Sequence, residues 1–187
     1  MKAGITMLKW IFGILGGLLV IAGFVALTGE DKSHPLDAYG MSGRGVEDTV
    51  AFLESNAFDR NTFAASIDGE KLTVQDETGG TQYALPEDMF YASIAPYVDS
   101  THPCGIHNLV TCQGEMASET FDVTIKNTSG DFIFDGQVQT EENGFFGVWL
   151  PSNVEGTIEI NHGDLSASGE ISTFTSSDTC YTDFQLS

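Results

Sequence analysis

From Phe121 onward apolar and polar residues alternate, and turn residues cut the pattern at short intervals. A period of two sustained in this way fits strands and not helices. Phe121, Val123 and Ile125 alternate with Asp122, Thr124 and Lys126, giving one core face and one wet face. Thr128-Ser129-Gly130 and Asn143-Gly144 read as turns between FDVTIKN, DFIFDGQVQT and GFFGVWL, with TIEI and CYTDFQL following. Together with FYASIAPYV from Phe90, about six short strands imply an antiparallel β-sandwich over residues 90–187. Phe132, Phe134, Phe145 and Trp149 are expected in its core.

The segment before it, 45–89, is a smaller helical and hairpin region, which makes the whole chain mainly β with a small α part. Val46, Val50, Leu53 and Ala57 recur at helical spacing, and Glu47 and Asp48 sit where the first-turn dipole favours negative charge, so a helix is expected over Val46 to Asn56. Leu72 and Val74, the turn Glu77-Thr78-Gly79-Gly80, then Tyr83 and Leu85 describe a hairpin.

Residues 1–28 set the compartment. The uncharged run from Trp10 to Leu27 would span roughly 27 Å as a helix, close to the hydrocarbon thickness of a bilayer. Lys2 and Lys9 precede it and Glu30 and Asp31 follow, so the bulk of the chain is expected outside the cytoplasm. Ala26 and Thr28 make a poor cleavage pair, which favours an uncleaved membrane anchor over a cleaved signal peptide. Residues 29–44, polar and interrupted by Pro35, Gly40 and Gly43, read as a linker. With 27 acidic residues against 7 Lys and Arg, the chain lacks the cation clusters that neutralise phosphates, and nucleic acid is excluded as a partner.

Chemistry concentrates in THPCGIHNLVTC, where His102, Cys104, His107 and Cys112 lie close together, with Cys180 near the end of the chain. Cys104 and Cys112 would be ~12 Å apart along a helix and about 26 Å apart along a strand, too far to cooperate. If the chain reverses around Asn108 they face each other and could close a disulfide or grip a soft metal, with His107 near the loop tip. An odd cysteine count in an exported chain leaves at least one thiol over. Two accounts compete: a stabilising Cys104–Cys112 bridge with a buried free Cys180, or a metal site. Zinc could use Cys₃His, but C-x₇-C is not the usual short zinc knuckle. Cu(I) is soft and accepts three thiolates, and His107 and His102 could take up Cu(II) before the thiols reduce it. His34 and His162 read as solvated. No Ser-His-Asp grouping or phosphate loop is legible.

Three blocks, FYASIAPYVDSTHPCGIHNLVTCQGE at 90–115, TEENGFFGVWLP at 140–151 and ISTFTSSDTCYTDFQL at 171–186, resemble the CueP family of copper-binding proteins from the bacterial envelope. The resemblance covers most of residues 45–187 and puts the family's metal-binding cysteines on Cys104, Cys112 and Cys180. It implies Cu(I) binding, thiol-linked reduction of Cu(II), copper tolerance, delivery in some members to a copper-containing superoxide dismutase, and a homodimer. Gly105 and the run Asn108-Leu109-Val110-Thr111 depart from the family pattern without removing a sulfur. Two other functions remain open: a thiol:disulfide oxidoreductase using Cys104 and Cys112, and an anchored β-sandwich that binds another protein. The absence of C-x-x-C at a helix start weighs against the first.

Overall fold

The computed structural model describes residues 34–187. The apolar run Trp10–Leu27, expected as anchor or signal peptide, lies outside the described residues; within them no helix is long and apolar enough to cross a membrane.

Helix α1, Val46–Glu54, forms on the expected stripe, with Val50 and Leu53 buried and Glu47 and Asp48 in its first turn. It ends where Ser55 leaves helical geometry and turns its hydroxyl back onto the Ala51 carbonyl, 2.7 Å away. Strands β1 (Phe63–Ile67), β2 (Lys71–Asp76) and β3 (Gly79–Ala84) follow as an antiparallel meander. The β2–β3 turn is held by Asp76, whose carboxylate accepts the N–H groups of Thr78 and Gly79. Next come β4 (Met89–Ile94), the two-residue β5 (His107–Asn108), β6 (Thr120–Asn127) and β7 (Phe132–Gln139). The chain closes with β8 (Phe146–Pro151), β9 (Glu155–His162), β10 (Leu165–Ser172) and β11 (Cys180–Tyr181).

The strands form three sheets, in the orders β3-β2-β1-β5, β10-β9-β6-β7 and β11-β4-β8. The last two make the sandwich. Phe90, Ala92 and Ile94 of β4 and Phe146, Val148 and Leu150 of β8 meet Phe121, Val123 and Ile125 of β6 and Ile158 and Ile160 of β9 in one core. A second core joins α1 to the meander through Val50, Leu53, Ala65, Ile67, Leu72 and Val74, and Tyr91 reaches it from β4. Strand β4 is therefore buried on both faces: alternate residues fill the sandwich, while Tyr91 and Ser93 point the other way, into the region that holds the chemistry. That double burial is why FYASI lacks the apolar–polar alternation seen in β6.

Several expectations need correction. Strand β11 runs parallel to β4, pairing Cys180 with Ser93 and Tyr181 with Ile94, so the sandwich is not wholly antiparallel. Phe132 is not core: it is 61% exposed, beside a register shift in the β6–β7 ladder, with the Lys126 ammonium 4.6 Å from its ring centroid. The stretch expected as linker contributes Leu36 and Met41 to the second core around a 3₁₀ turn at Asp37–Tyr39. Strands β1 and β10 had no clear signature, because β10 points small side chains inward at Ala167 and Gly169 and β1 is a short FAASI.

Gly147 of β8 pairs with Ser93 of β4, and the Tyr91 phenol lies where a Cβ at Gly147 would stand. Gly147→Ala should therefore displace Tyr91 and destabilise the protein by ~1–3 kcal/mol, the usual cost of overpacking. Chemical denaturation measures this, and an unchanged midpoint would mean that Tyr91 moves aside freely.

Candidate metal centre

The site forms where three stretches meet: the loop after β4, the turn after β5, and the tail at β11. The loop and tail are fastened through Gly105, whose carbonyl accepts the N–H of Thr179 at 2.8 Å and of Cys180 at 3.0 Å. Thr179 is a second clasp. Its hydroxyl donates to the Ile67 carbonyl at 2.6 Å and accepts the His107 N–H at 3.0 Å, tying β1, β5 and the tail together. The turn after β5 is set by Asn108, whose side-chain oxygen accepts the N–H groups of Val110 and Thr111 while its carbonyl accepts that of Cys112. The expected reversal near Asn108 is present, yet residues 107–108 pair with β1, not with the strand beyond the turn.

Backbone reversal and tail docking bring all three sulfurs together. Cys104 and Cys180 form a disulfide with Cα atoms 5.6 Å apart, and Cys112 is the free cysteine, its Sγ 3.7 Å from that of Cys104. Of the two competing accounts, the one with a Cys104–Cys112 bridge and a free Cys180 does not match this pairing: the bridge is Cys104–Cys180 and Cys112 is free, because Gly105 holds the tail against the loop. A ring nitrogen of His107 and the sulfurs of Cys112 and Cys180 lie within 4.8 Å of one another, and so do a ring nitrogen of His102 and the sulfurs of Cys104 and Cys112. Cys112 is common to both groups; the first is mostly buried and the second half-exposed. His34 and His162 take no part. His34 contacts Tyr83, and His162 lies beside the Thr120 carbonyl.

The floor is Phe145, fully buried, with ring centroids 4.7 Å from His107 and 6.5 Å from His102. Asn143 accepts the Phe145 N–H, and Gly144 adopts φ 79° where its backbone packs directly on that of Gly114, an approach that leaves no room for a side chain. Phe145 is buried as expected, in a small core cluster with Ala95 and Cys180 that underlies the sulfurs.

His107 is fully buried. Its Nε2 lies 3.0 Å from Glu54 Oε1, and its Nδ1 has no hydrogen-bond partner of good geometry. An orphaned buried nitrogen beside two sulfurs is the chemistry expected of a ligand position. Burial of the ring works against its charged form, but Cys112 and the Glu54 carboxylate outweigh burial and raise its pKa to about 9. Reciprocally, burial pushes the Cys112 thiol up, yet His107 and the Asn108 N–H, 3.4 Å from the sulfur, bring it below the ordinary thiol value.

Glu54 went unnoticed in the sequence. It accepts hydrogen bonds from Tyr91 at 3.2 Å and Ser93 at 3.3 Å on Oε1, and from Asn143 at 2.9 Å on Oε2. Burial and the neighbouring Glu54 charge hold the Tyr91 hydroxyl well above its usual pKa and therefore neutral. One signal was available: Val46, Val50 and Glu54 are spaced by four, so a carboxylate stands on the apolar stripe of α1. Thr179 carried no comparable signal, since its role depends wholly on where the tail docks.

A family model described as "Periplasmic copper-binding protein CueP" matches residues 48–185. The crystal structure of S.CueP is similar to this chain, with 38% sequence identity and a TM-score of 0.76 over 81% of this chain and 94% of that chain. Among curated proteins none matches. Taken with the convergence of three cysteines and a histidine, these likenesses establish that the chain belongs to the CueP family of periplasmic copper-binding proteins.

Proposed function

We propose that the protein captures copper outside the cytoplasm and holds Cu(I) through Cys104, Cys112 and Cys180, with His107 as an inner ligand and His102 at the rim. The observation that carries this reading is the meeting of three sulfurs from two distant parts of the chain beside a buried imidazole nitrogen that has no other partner. Soft thiolates select Cu(I), and the half-exposed His102, Cys104 and Cys112 offer an approach from solvent. Zinc would accept the same Cys₃His donors, and competition between the two ions is part of the test.

The same residues supply electrons. Two Cu(II) ions take one electron each from the Cys104 and Cys180 thiols, the two sulfurs join, two protons leave and two Cu(I) ions form. The disulfide that results removes two of the three thiolates, so reduction and three-thiolate storage alternate, and an external thiol reductant resets the site. Cys112 stays outside the bridge as a thiolate that can hold product. Regions 45–89 and 90–187 both contribute, the first through Glu54 and the second through the sulfurs, while 1–28 exports the chain and either anchors it to the membrane or is cleaved, and 29–44 follows it. Delivery to a copper-containing superoxide dismutase and homodimerisation rest on the family resemblance alone.

A second reading, thiol:disulfide exchange with other proteins, draws on the 3.7 Å separation between the Cys112 sulfur and a bridged sulfur. Insulin reduction separates the two: copper handling predicts no turnover above a buffer thiol.

Reduced full-length protein, loaded anaerobically and competed with a chelator of known affinity, should retain one Cu(I) in preference to Zn(II). Retention should be lost in Cys104→Ser, Cys112→Ser and Cys180→Ser, and unchanged retention in all three would sink the ligand assignment. In the oxidised protein iodoacetamide should modify Cys112 alone. Because its thiol pKa is lowered, the rate should stay high as pH falls below the ordinary thiol pKa of about 8.5, and His107→Ala should move the profile to higher pH. A wild-type profile centred at or above the ordinary value would contradict the pairing of Cys112 with His107.

A further inference from the structure

Carboxylates are common on this surface, but Glu54 is buried, and what surrounds it is specific. Tyr91 and Ser93 from β4, Asn143 from the turn before β8 and His107 from β5 all present polar groups to it. A carboxylate that only needed satisfying would be served by any of these donors. One of them, His107, is a proposed ligand, and its bond to Glu54 has a geometric consequence. With Nε2 as the donor to Oε1, a neutral imidazole carries its proton on Nε2, and Nδ1 keeps the lone pair that a metal needs. Nδ1 is the nitrogen left without a hydrogen-bond partner, in a site where a His107 ring nitrogen stands within 4.8 Å of two sulfurs. Phe145 packs against the same ring and limits its rotation.

We propose that Glu54 is a positioning residue for the copper site, fixing the His107 tautomer and ring orientation so that Nδ1 faces the sulfurs of Cys112 and Cys180. This rests on the reading of His107 as a ligand. Ligand imidazoles generally give their second N–H to a carboxylate or carbonyl, which orients the ring and makes it a better donor. The contact is long-range in sequence, 53 residues apart, and couples the metal site to helix α1. Tyr91, Ser93 and Asn143 then hold the carboxylate itself in place.

The experiment uses full-length protein labelled with ¹⁵N-histidine, kept reduced, with Cu(I) competition and NMR read on the same samples. Glu54→Gln keeps the shape but removes the charge; Glu54→Asp keeps the charge but withdraws it by one methylene and serves if the first variant does not fold. Either should weaken Cu(I) retention ~10–100-fold, the usual effect of losing such a partner, and in the Cu(I)-loaded form, where the metal takes the place of a proton on Nδ1, should shift the His107 nitrogens away from the pure Nε2–H pattern. Folded variants that bind as tightly as wild type, or that bind more weakly with the His107 nitrogens unchanged, would overturn the proposal. His107→Ala distinguishes the levels. Wild-type retention in that variant removes His107 from the ligand set and the proposal with it, whereas weakened retention beside unaffected Glu54 variants removes the proposal alone.

Discussion

The parallel pairing of Cys180–Tyr181 with Ser93–Ile94 decides whether the three sulfurs meet at all. A sulfur 76 residues beyond Cys104 reaches it only because the tail lies along β4 and is pinned a second time by the Gly105 carbonyl. Strand β4 is able to receive the tail because its other edge is already paired with β8, and both its faces are covered, so the tail completes a sheet that would otherwise end in unpaired backbone groups. Loop, tail and β1 are then locked by Thr179, and the sulfurs are held by backbone geometry before any metal arrives.

Beneath the sulfurs lies a buried polar group whose cost is considerable. A carboxylate, an imidazole and a phenol removed from water destabilise the fold unless each finds partners. Glu54 finds four, from two strands and one turn that pack beside α1, and Tyr91 finds Glu54. The exception is His107 Nδ1, and a site built to bind something is the natural place for one deliberate unpaired atom. Phe145 gives the same region an apolar floor, which lowers the local polarity and strengthens the pairing of Cys112 with His107.

Much of this was readable in advance from particular residues. The stripe of Val46, Val50 and Leu53 located α1, and the alternation in FDVTIKN located β6 with its core face correctly assigned. Cys104, Cys112 and Cys180 stood out by chemistry and by family resemblance. The parts that resisted were those in which a residue's meaning came from a distant partner. Glu54 was one acid among many, Thr179 one threonine among many, and Phe145 looked like any core aromatic. Phe132 was misplaced because a register shift in the ladder, invisible in the alternation itself, sends its ring into solvent.

The sequence by itself therefore determined many of the elements and the inventory of reactive side chains, because periodicity and side-chain chemistry are local properties. Which two of three sulfurs join, which imidazole is buried beside them and which carboxylate stands behind it were decided only by the tertiary structure. Disulfide pairing and metal geometry depend on separations of a few ångströms between chain segments tens of residues apart. Those separations are set by sheet order and by a parallel tail pairing that no local pattern encodes.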